Sequence, residues 1–258
     1  MGFFSRLFGS NSKNNTDTML DTAEKAIDNG DYTKAVETYR EILKLEQNAR
    51  ASYNLGSLYA QGKGVEQDYQ EGAYWFHKAE LLGDEKAGNF CLKCALDFIH
   101  QDFDNKTPEQ IYKDVTQFIQ KVYSDVDIKL ETCRTIYAVA GNHFKKQEYE
   151  EAAKLFRAAG EFGSDGYSQN YLAVLYNAGE GVEQNDVAAL YWFDKAVDNG
   201  AADVAQQDRD GIFNAYKNNF SEEAFKATML KISECCQNGS EDIPKDSEKV
   251  EYWRKFAE

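Results

Sequence analysis

The chain has 258 residues, 42% of them hydrophobic and 28% charged, a globular balance that excludes a disordered or collagen-like polymer. Only two prolines and 18 glycines interrupt it, so long stretches are free to be helical. A formal charge of −15 repels phosphate backbones and anionic headgroups, which argues against nucleic acid and membrane surfaces and favours basic or neutral partners.

From the N-terminus, Met1–Gly9 reads MGFFSRLFG. Its apolar run is too short for a signal peptide and lacks a small-residue cleavage site, and no stretch of the chain approaches the ~18 apolar residues of a membrane span. A cytoplasmic location is the expectation. Phe3, Phe4, Leu7 and Phe8 share one helical face that can dock on lipid, on a partner or on the rest of the chain. Arg6 is the one basic residue there and breaks the myristoylation pattern, so a membrane-tethered adaptor using Phe3–Phe8 is an alternative rather than the main reading. Ser10–Asp17 (SNSKNNTD) reads as a polar, mobile tether, giving an N-terminal segment 1–17 ahead of a helical body 18–258.

Helix pairs are expected over about 18–45, 49–82, 84–124, 126–162, 165–199 and 201–238, with a last helix over 246–257. The second pair shows the construction. Leu55, Leu58 and Tyr59 lie at i, i+3 and i+4 on a first helix, A, and Gly56 allows close approach of its neighbour. Gly62 can end that helix in the left-handed conformation, Lys63-Gly64 turns the chain, Val65 returns to the core and Asp68 caps the second helix, B. On B, Trp75 and Ala79 face A, and Gly83 ends the pair.

The whole motif then recurs. LGSLYAQGKGVEQ at 55–67 returns as LAVLYNAGEGVEQ at 172–184, YWFHKA at 74–79 as YWFDKA at 191–196, and Gly83 as Gly200. Of the 33 positions from Ala51 to Gly83, fourteen are identical 117 residues later with no gap. The same offset aligns Asp31-Tyr32-Thr33-Lys34-Ala35 with Glu148-Tyr149-Glu150-Glu151-Ala152. Two related halves follow, about 18–124 and 135–238. Asp246–Ala257 (DSEKVEYWRKFA) then reads as a terminal half-unit and cap, because Trp253 falls where Trp75 and Trp192 fall.

These residues resemble a known family. LGSLYAQGKGVEQDYQEGAYWFHKAELLGDEKA is similar to a Sel-one-like repeat, and the second copy departs only at Ala173 for Gly56 and Asn185 for Asp68 within the pattern. GDYTKAVETY and QEYEEAAKLF resemble tetratricopeptide repeat cores. The resemblance implies an all-α fold: a right-handed α-α superhelical solenoid of antiparallel helix pairs, continuous from residue 18 to the cap.

Catalytic or metal chemistry finds little support. Cys91-Leu92-Lys93-Cys94 has metal-ligand spacing, but no second such pair or paired histidines complete four ligands, and Cys91 and Cys94 align with the buried Leu55 and Leu58. Cys235 falls near the Leu58 position of the last pair, so the cysteines read as small core hydrophobes. Cys133 and His143, ten residues apart on one expected helix, would lie ~15 Å apart on different faces. His77, answered by Asp194 in the second copy, reads as an exposed polar position. Gly62-Lys63-Gly64 and Gly179-Glu180-Gly181 follow helices rather than strands and are turns, not phosphate loops. Asp208-Arg209-Asp210-Gly211 lacks the later ligands of a calcium loop. No cofactor and no metal is expected.

A protein-binding scaffold or adaptor is the resulting expectation. The alternative is a hydrolase-like activity of the kind attributed to some cysteine-rich Sel-one-like proteins, whose regular cysteine spacing this chain lacks. The resemblance to tetratricopeptide arrays implies a concave face lined by A helices. That selects Arg50, Tyr53, Ser57 and Gln61 in the first Sel-one-like unit, Arg134, Tyr137 and Lys145 in the following tetratricopeptide-like unit, and Asn170, Val174 and Asn177 in the second Sel-one-like unit. Amides, aromatic rings and basic groups of this kind suit an extended peptide.

Overall fold

The computed structural model describes the backbone of residues 4–258 and the side chains of residues 15–258 other than Tyr216. All regular structure among them is helical. The elements are α1 (Phe4–Asp28), α2 (Tyr32–Leu45), α3 (Ala49–Gln61), α4 (Tyr69–Leu81), α5 (Ala87–His100), α6 (Pro108–Val122), α7 (Ile128–Lys145), α8 (Tyr149–Arg157), α9 (Gly166–Ala178), α10 (Asp186–Ala196), α11 (Ala202–Asn219), α12 (Glu222–Asn238) and α13 (Ser247–Arg254). A π-helical turn, Ala158–Phe162, prolongs α8, and a second, Val197–Ala201, leads from α10 into α11 through Gly200 at φ 91°.

The expected helix starts and stops are built as the sequence proposes. Gly62 and Gly179 end α3 and α9 at φ 65° and 71°. Asp68 caps α4 by accepting from the Gln70 and Glu71 amides, and Asn185 caps α10 by accepting from Ala188. Where α3 crosses α4, a Cβ at Gly56 would stand 3.0 Å from the Gly72 carbonyl oxygen, so the small residue sets the approach.

Two compact units result. One holds the described residues up to Asp104 together with Gln117–Val126, the other Asn105–Thr116 and Asp127–Glu258. The core of the first contains Leu20, Tyr39, Ile42, Leu55 and Leu58. The end of α6 joins it through Phe98 against Phe118, with ring centroids 5.0 Å apart, and through the Tyr123 hydroxyl, 3.3 Å from Cys91 Sγ. In the second unit, Tyr137, Phe144, Phe156 and Tyr171 form a ring cluster in which Phe156 and Tyr171 stack at 4.9 Å. Trp192 and Trp253 are fully buried there.

Three expectations need correction. The segment read as a polar tether, 10–17, is part of α1, which runs unbroken to Asp28; the docking face assigned to Phe3–Phe8 lies outside the described side chains. The final helix is not a half-unit: α13 packs against α12 as the B helix of a complete pair, with Ile243 buried in the connecting loop where Val65 stands in the first copy. α12 therefore belongs with α13 rather than with α11, which packs on α10. His77 is not an exposed polar position: its side chain is 15% exposed and its ring lies 4.5 Å from that of Tyr123, and its counterpart Asp194 is buried.

Candidate functional site

The selected A-helix residues fall into different surroundings in the two units. In the first, Arg50 is held by Glu24, with Nε 2.6 Å from the carboxylate. Tyr53 meets the rings of Phe76 and Phe90 edge-on, both at 5.3 Å, and Ser57 Oγ accepts from Gln61 Nε2 at 2.6 Å. These four are engaged within their own unit.

In the second unit two grooves open beside the selected residues. The larger, about 640 Å3, lies between the start of α7 and the corner joining α8 to α9. Arg134 and Tyr137 line it with Lys129, Leu130, Cys133, Tyr167 and the backbone of Gly163–Gly166. Leu130 and Tyr167 are exposed large side chains that offer the groove apolar contact area. Two carboxylates also line the groove, but Asp127 accepts from the Leu130 amide at 3.0 Å and Asp165 from the Ser168 amide at 2.8 Å. Each carboxylate is balanced by a helix N-terminus, which leaves Lys129 and Arg134 as the cations on the rim. Arg134 contacts Glu131 at 3.3 Å, one turn away, and stays largely in solvent.

The Cys133 thiol in this groove is no activated nucleophile. Burial, before any neighbouring charge, pushes it up to about 11, so it is protonated near neutral pH. Burial does the same to Tyr137, whose hydroxyl rises to about 12. His143, on the same helix, is buried with Nδ1 2.8 Å from Glu148 Oε2. Among the described residues, no group of three or more His, Cys, Asp or Glu side chains is arranged to hold a metal ion.

The second groove, about 500 Å3, lies between α9 and α11 and is lined by Val174, Asn177, Phe193, Gln207, Asp208, Gly211 and Ile212. Asn170, one turn earlier on α9, has a buried Oδ1 with no hydrogen-bond partner. Lys145 is exposed in the last turn of α7 and lines neither groove. Sequence reasoning did not select Lys129, Leu130, Tyr167, Gln207 or Asp208. The first two lie in the α7 turn capped by Asp127, and Tyr167 in the α9 turn capped by Asp165; both caps are visible as Asp before a helix start.

The third pair contributes a further arrangement with no sequence signal. Asp194 accepts from Lys249 Nζ at 2.5 Å and from the Tyr252 hydroxyl at 3.1 Å, and Arg209 Nη1 lies 3.4 Å away. Asp242, in the α12–α13 loop, accepts from the Tyr176 hydroxyl at 2.9 Å and from Asn185 Nδ2 at 2.8 Å, while its backbone carbonyl accepts from Trp192 Nε1 at 2.9 Å. Asp246 takes Tyr191 at 3.1 Å and Lys195 at 3.0 Å. The loop of one pair thus satisfies the buried polar atoms of the pair before it.

The family comparison agrees with these helix pairs. The Sel1 repeat family matches residues 49–84, 166–200 and 227–258. No curated protein matches the chain. Among solved structures, a Sel1 repeat protein from Oxalobacter formigenes matches at 16% identity over 92% of this chain and 98% of its own, with a TM-score of 0.33. A protective antigen present in uropathogenic Escherichia coli strains, displaying an SLR fold, matches at 16% identity and a TM-score of 0.30 over 95% of this chain, which spans 54% of that protein. A sel1 repeat protein from Klebsiella pneumoniae subsp. pneumoniae matches at 16% identity over 79% of this chain and 98% of its own, with a TM-score of 0.29. Sel1 repeats are generally non-enzymatic scaffolds for protein–protein interaction. Three family matches, each falling on an A/B helix pair closed by a buried or half-buried tryptophan, show that this all-α chain carries three Sel1 repeats, which are tetratricopeptide-like.

Proposed function

We propose that the chain is a scaffold whose second unit takes an extended segment of a protein partner along its A helices, in the groove between α7 and the α8–α9 corner. The observation that carries this reading is the placement of Arg134 and Tyr137, selected on A-helix position alone, in one groove with exposed Leu130 and Tyr167 and a second cation, Lys129. Apolar side chains there give contact area, the two cations fix orientation, and neither carboxylate is left uncompensated to repel an acidic group on the segment. In the first unit Tyr53 is packed against the Phe76 and Phe90 rings, whereas Tyr137 lines an open groove, which favours the second unit as the primary surface.

The test compares affinity capture by the intact protein and by two variants, Arg134→Glu and Leu130→Asp, with helicity followed by circular dichroism. Both residues are exposed, so the fold should persist. A partner retained by the native chain and lost by both helical variants is the expected result. Retention by both variants would remove this groove from the reading, and turnover of a hydrolase substrate abolished by one polar substitution would remove the scaffold role.

A further inference from the structure

The internal duplication presents one surface twice, once covered and once open. In the second unit the α12–α13 loop lies on α9 and α10 and takes up their donors. Tyr176 and Asn185 hold the Asp242 carboxylate at 2.9 and 2.8 Å, and Trp192 Nε1 donates to its carbonyl at 2.9 Å. Tyr191 and Lys195 share the Asp246 carboxylate at 3.1 and 3.0 Å, and Arg157, on α8, donates to the Glu241 carbonyl. Under this loop Tyr176, Tyr191 and Trp192 are no more than 2% exposed.

Counting back 117 residues puts Arg40, Tyr59, Asp68, Tyr74, Trp75 and Lys78 at the same positions of the first unit. The ring pair is built alike: Tyr74 and Trp75 stand 5.1 Å apart at 80°, Tyr191 and Trp192 5.1 Å apart at 76°. What differs is the cover. Tyr59, Tyr74 and Trp75 are only half-buried, and Trp75 Nε1 has no hydrogen-bond partner among the described residues. The cations rest on the rings instead: Arg40 donates to the Tyr59 hydroxyl and lies over its ring at 5.6 Å, and Lys78 lies over Tyr74 at 5.3 Å. The segment at 122–126, sister to the start of the α12–α13 loop, is engaged elsewhere: the Tyr123 ring packs on His77 at 4.5 Å and its hydroxyl meets Cys91 Sγ.

We propose that the surface of Tyr59, Tyr74 and Trp75 is a docking site for an acidic bend of a partner protein, seated as the chain's own α12–α13 loop is seated on the second unit. The seated loop defines the chemistry: two carboxylates flanking an apolar side chain, as Asp242 and Asp246 flank the buried Ile243. One carboxylate goes to Lys78 and Tyr74, as Asp246 goes to Lys195 and Tyr191, and the other to Arg40 and Tyr59. Asp68, in the place of Asn185, does not repel it, because that carboxylate caps α4 and is paired with Lys121 at 3.2 Å. A basic bend would meet Arg40 and Lys78 with like charge. The site lies in the first unit and does not depend on the reading of the α7 groove.

The experiment titrates the full-length, isotope-labelled protein with a peptide of its own loop, acetyl-GSEDIPKDS-amide, residues 239–247. The indole N–H resonances of Trp75, Trp192 and Trp253 are followed, with that of Trp75 assigned by its loss in Trp75→Phe. Saturable movement of the Trp75 resonance in the millimolar range, as befits a fragment of that size, is expected, with Trp192 unmoved under its own loop. The same peptide with both aspartates replaced by asparagine should bind at least ~5-fold more weakly. The double variant Arg40→Ala/Lys78→Ala, with helicity checked by circular dichroism, should abolish the movement, and Arg134→Glu should leave it unchanged. Absence of saturable movement, an equal response to the asparagine peptide, persistence in the helical double variant, or movement of Trp192 in place of Trp75 would overturn the proposal.

Discussion

At the residue scale, the two glycines that follow each A helix differ in what they tolerate. Gly64 and Gly181 have φ of 73° and 69°, and a Cβ at either would overlap the backbone of Tyr32 or Tyr149 respectively. Replacing either by alanine combines a left-handed strain with a backbone clash, and a loss of about 2–4 kcal/mol is expected in a denaturant titration. Gly211→Ala should instead gain about 0.5–1 kcal/mol, since it sits in open helix. Lys249 is a second sensitive point. Lys249→Met leaves the buried Asp194 carboxylate with only Arg209 as a cation, for a loss of about 3–5 kcal/mol. The double variant Asp194→Leu/Lys249→Met should cost less than Lys249→Met alone, and the reverse order would show that the pair is not the source. Sequence alone could not reveal this ion pair: its partners lie 55 positions apart, and the sister residue of Asp194 is His77, packed on the Tyr123 ring. The cysteines, by contrast, were legible. Burial raises Cys91 and Cys133 to about 11 and Cys94 and Cys236 to about 12. Iodoacetamide at pH 8 should therefore leave these four unmodified in the native protein and alkylate them after unfolding, read by mass spectrometry.

At the element scale, the third repeat shows why the sequence was only partly readable. Trp253 is plain, but Gly239 stands 177 residues beyond Gly62 while Trp253 stands 178 beyond Trp75, so one extra loop residue breaks the register between A and B helices. On the A helix, Ser233 takes the place of Gly56 and Cys236 that of Tyr59, and the buried stripe survives as Met229, Ile232, Ser233 and Cys236. A gapless comparison with the first copy loses such a helix, whereas the family pattern, matching 227–258, and the burial both recover it. The attachment of α13 has a pH window that follows from its charged groups. Burial pushes Asp246 upward, but the hydrogen bond and charge of Lys195 outweigh it and hold the carboxyl below its ordinary 3.8. That contribution is complete above 3.8 and is lost as pH falls through the lower folded value. Burial pulls Lys249 down, but Asp194 and Asp198 hold it above its ordinary 10.5, so its contribution is complete below 10.5 and lost as pH rises through the higher folded value. The protection of the Ser247–Arg254 amides, taken as exchange relative to the intrinsic rate at each pH, should thus hold between these limits and fall outside them. Asp246→Asn should remove the acid arm and leave the alkaline one.

At the scale of the whole molecule, 44 acidic residues against 29 basic ones set a field that local chemistry must work within. The two grooves of the second unit respond to it in opposite ways. Lys129 and Arg134 stand at the α7 groove against the general sign, whereas Asp208 at the α9–α11 groove adds to it. A basic partner segment is therefore drawn by the field and by one groove, and an acidic one only by the other. Raising ionic strength from about 0.1 M to about 1 M shortens the screening length from about 10 Å to about 3 Å, which removes long-range attraction while leaving buried contacts. For a basic partner segment the affinity should fall at least ~10-fold over that range, mostly through slower association. Asp208→Asn should lower the affinity at low salt and flatten the salt dependence. Lys129→Ala, which makes the chain one charge more negative, should steepen it. A partner whose affinity is indifferent to salt would mean that apolar contacts at Leu130, Tyr137 and Tyr167 decide recognition and that the field decides little.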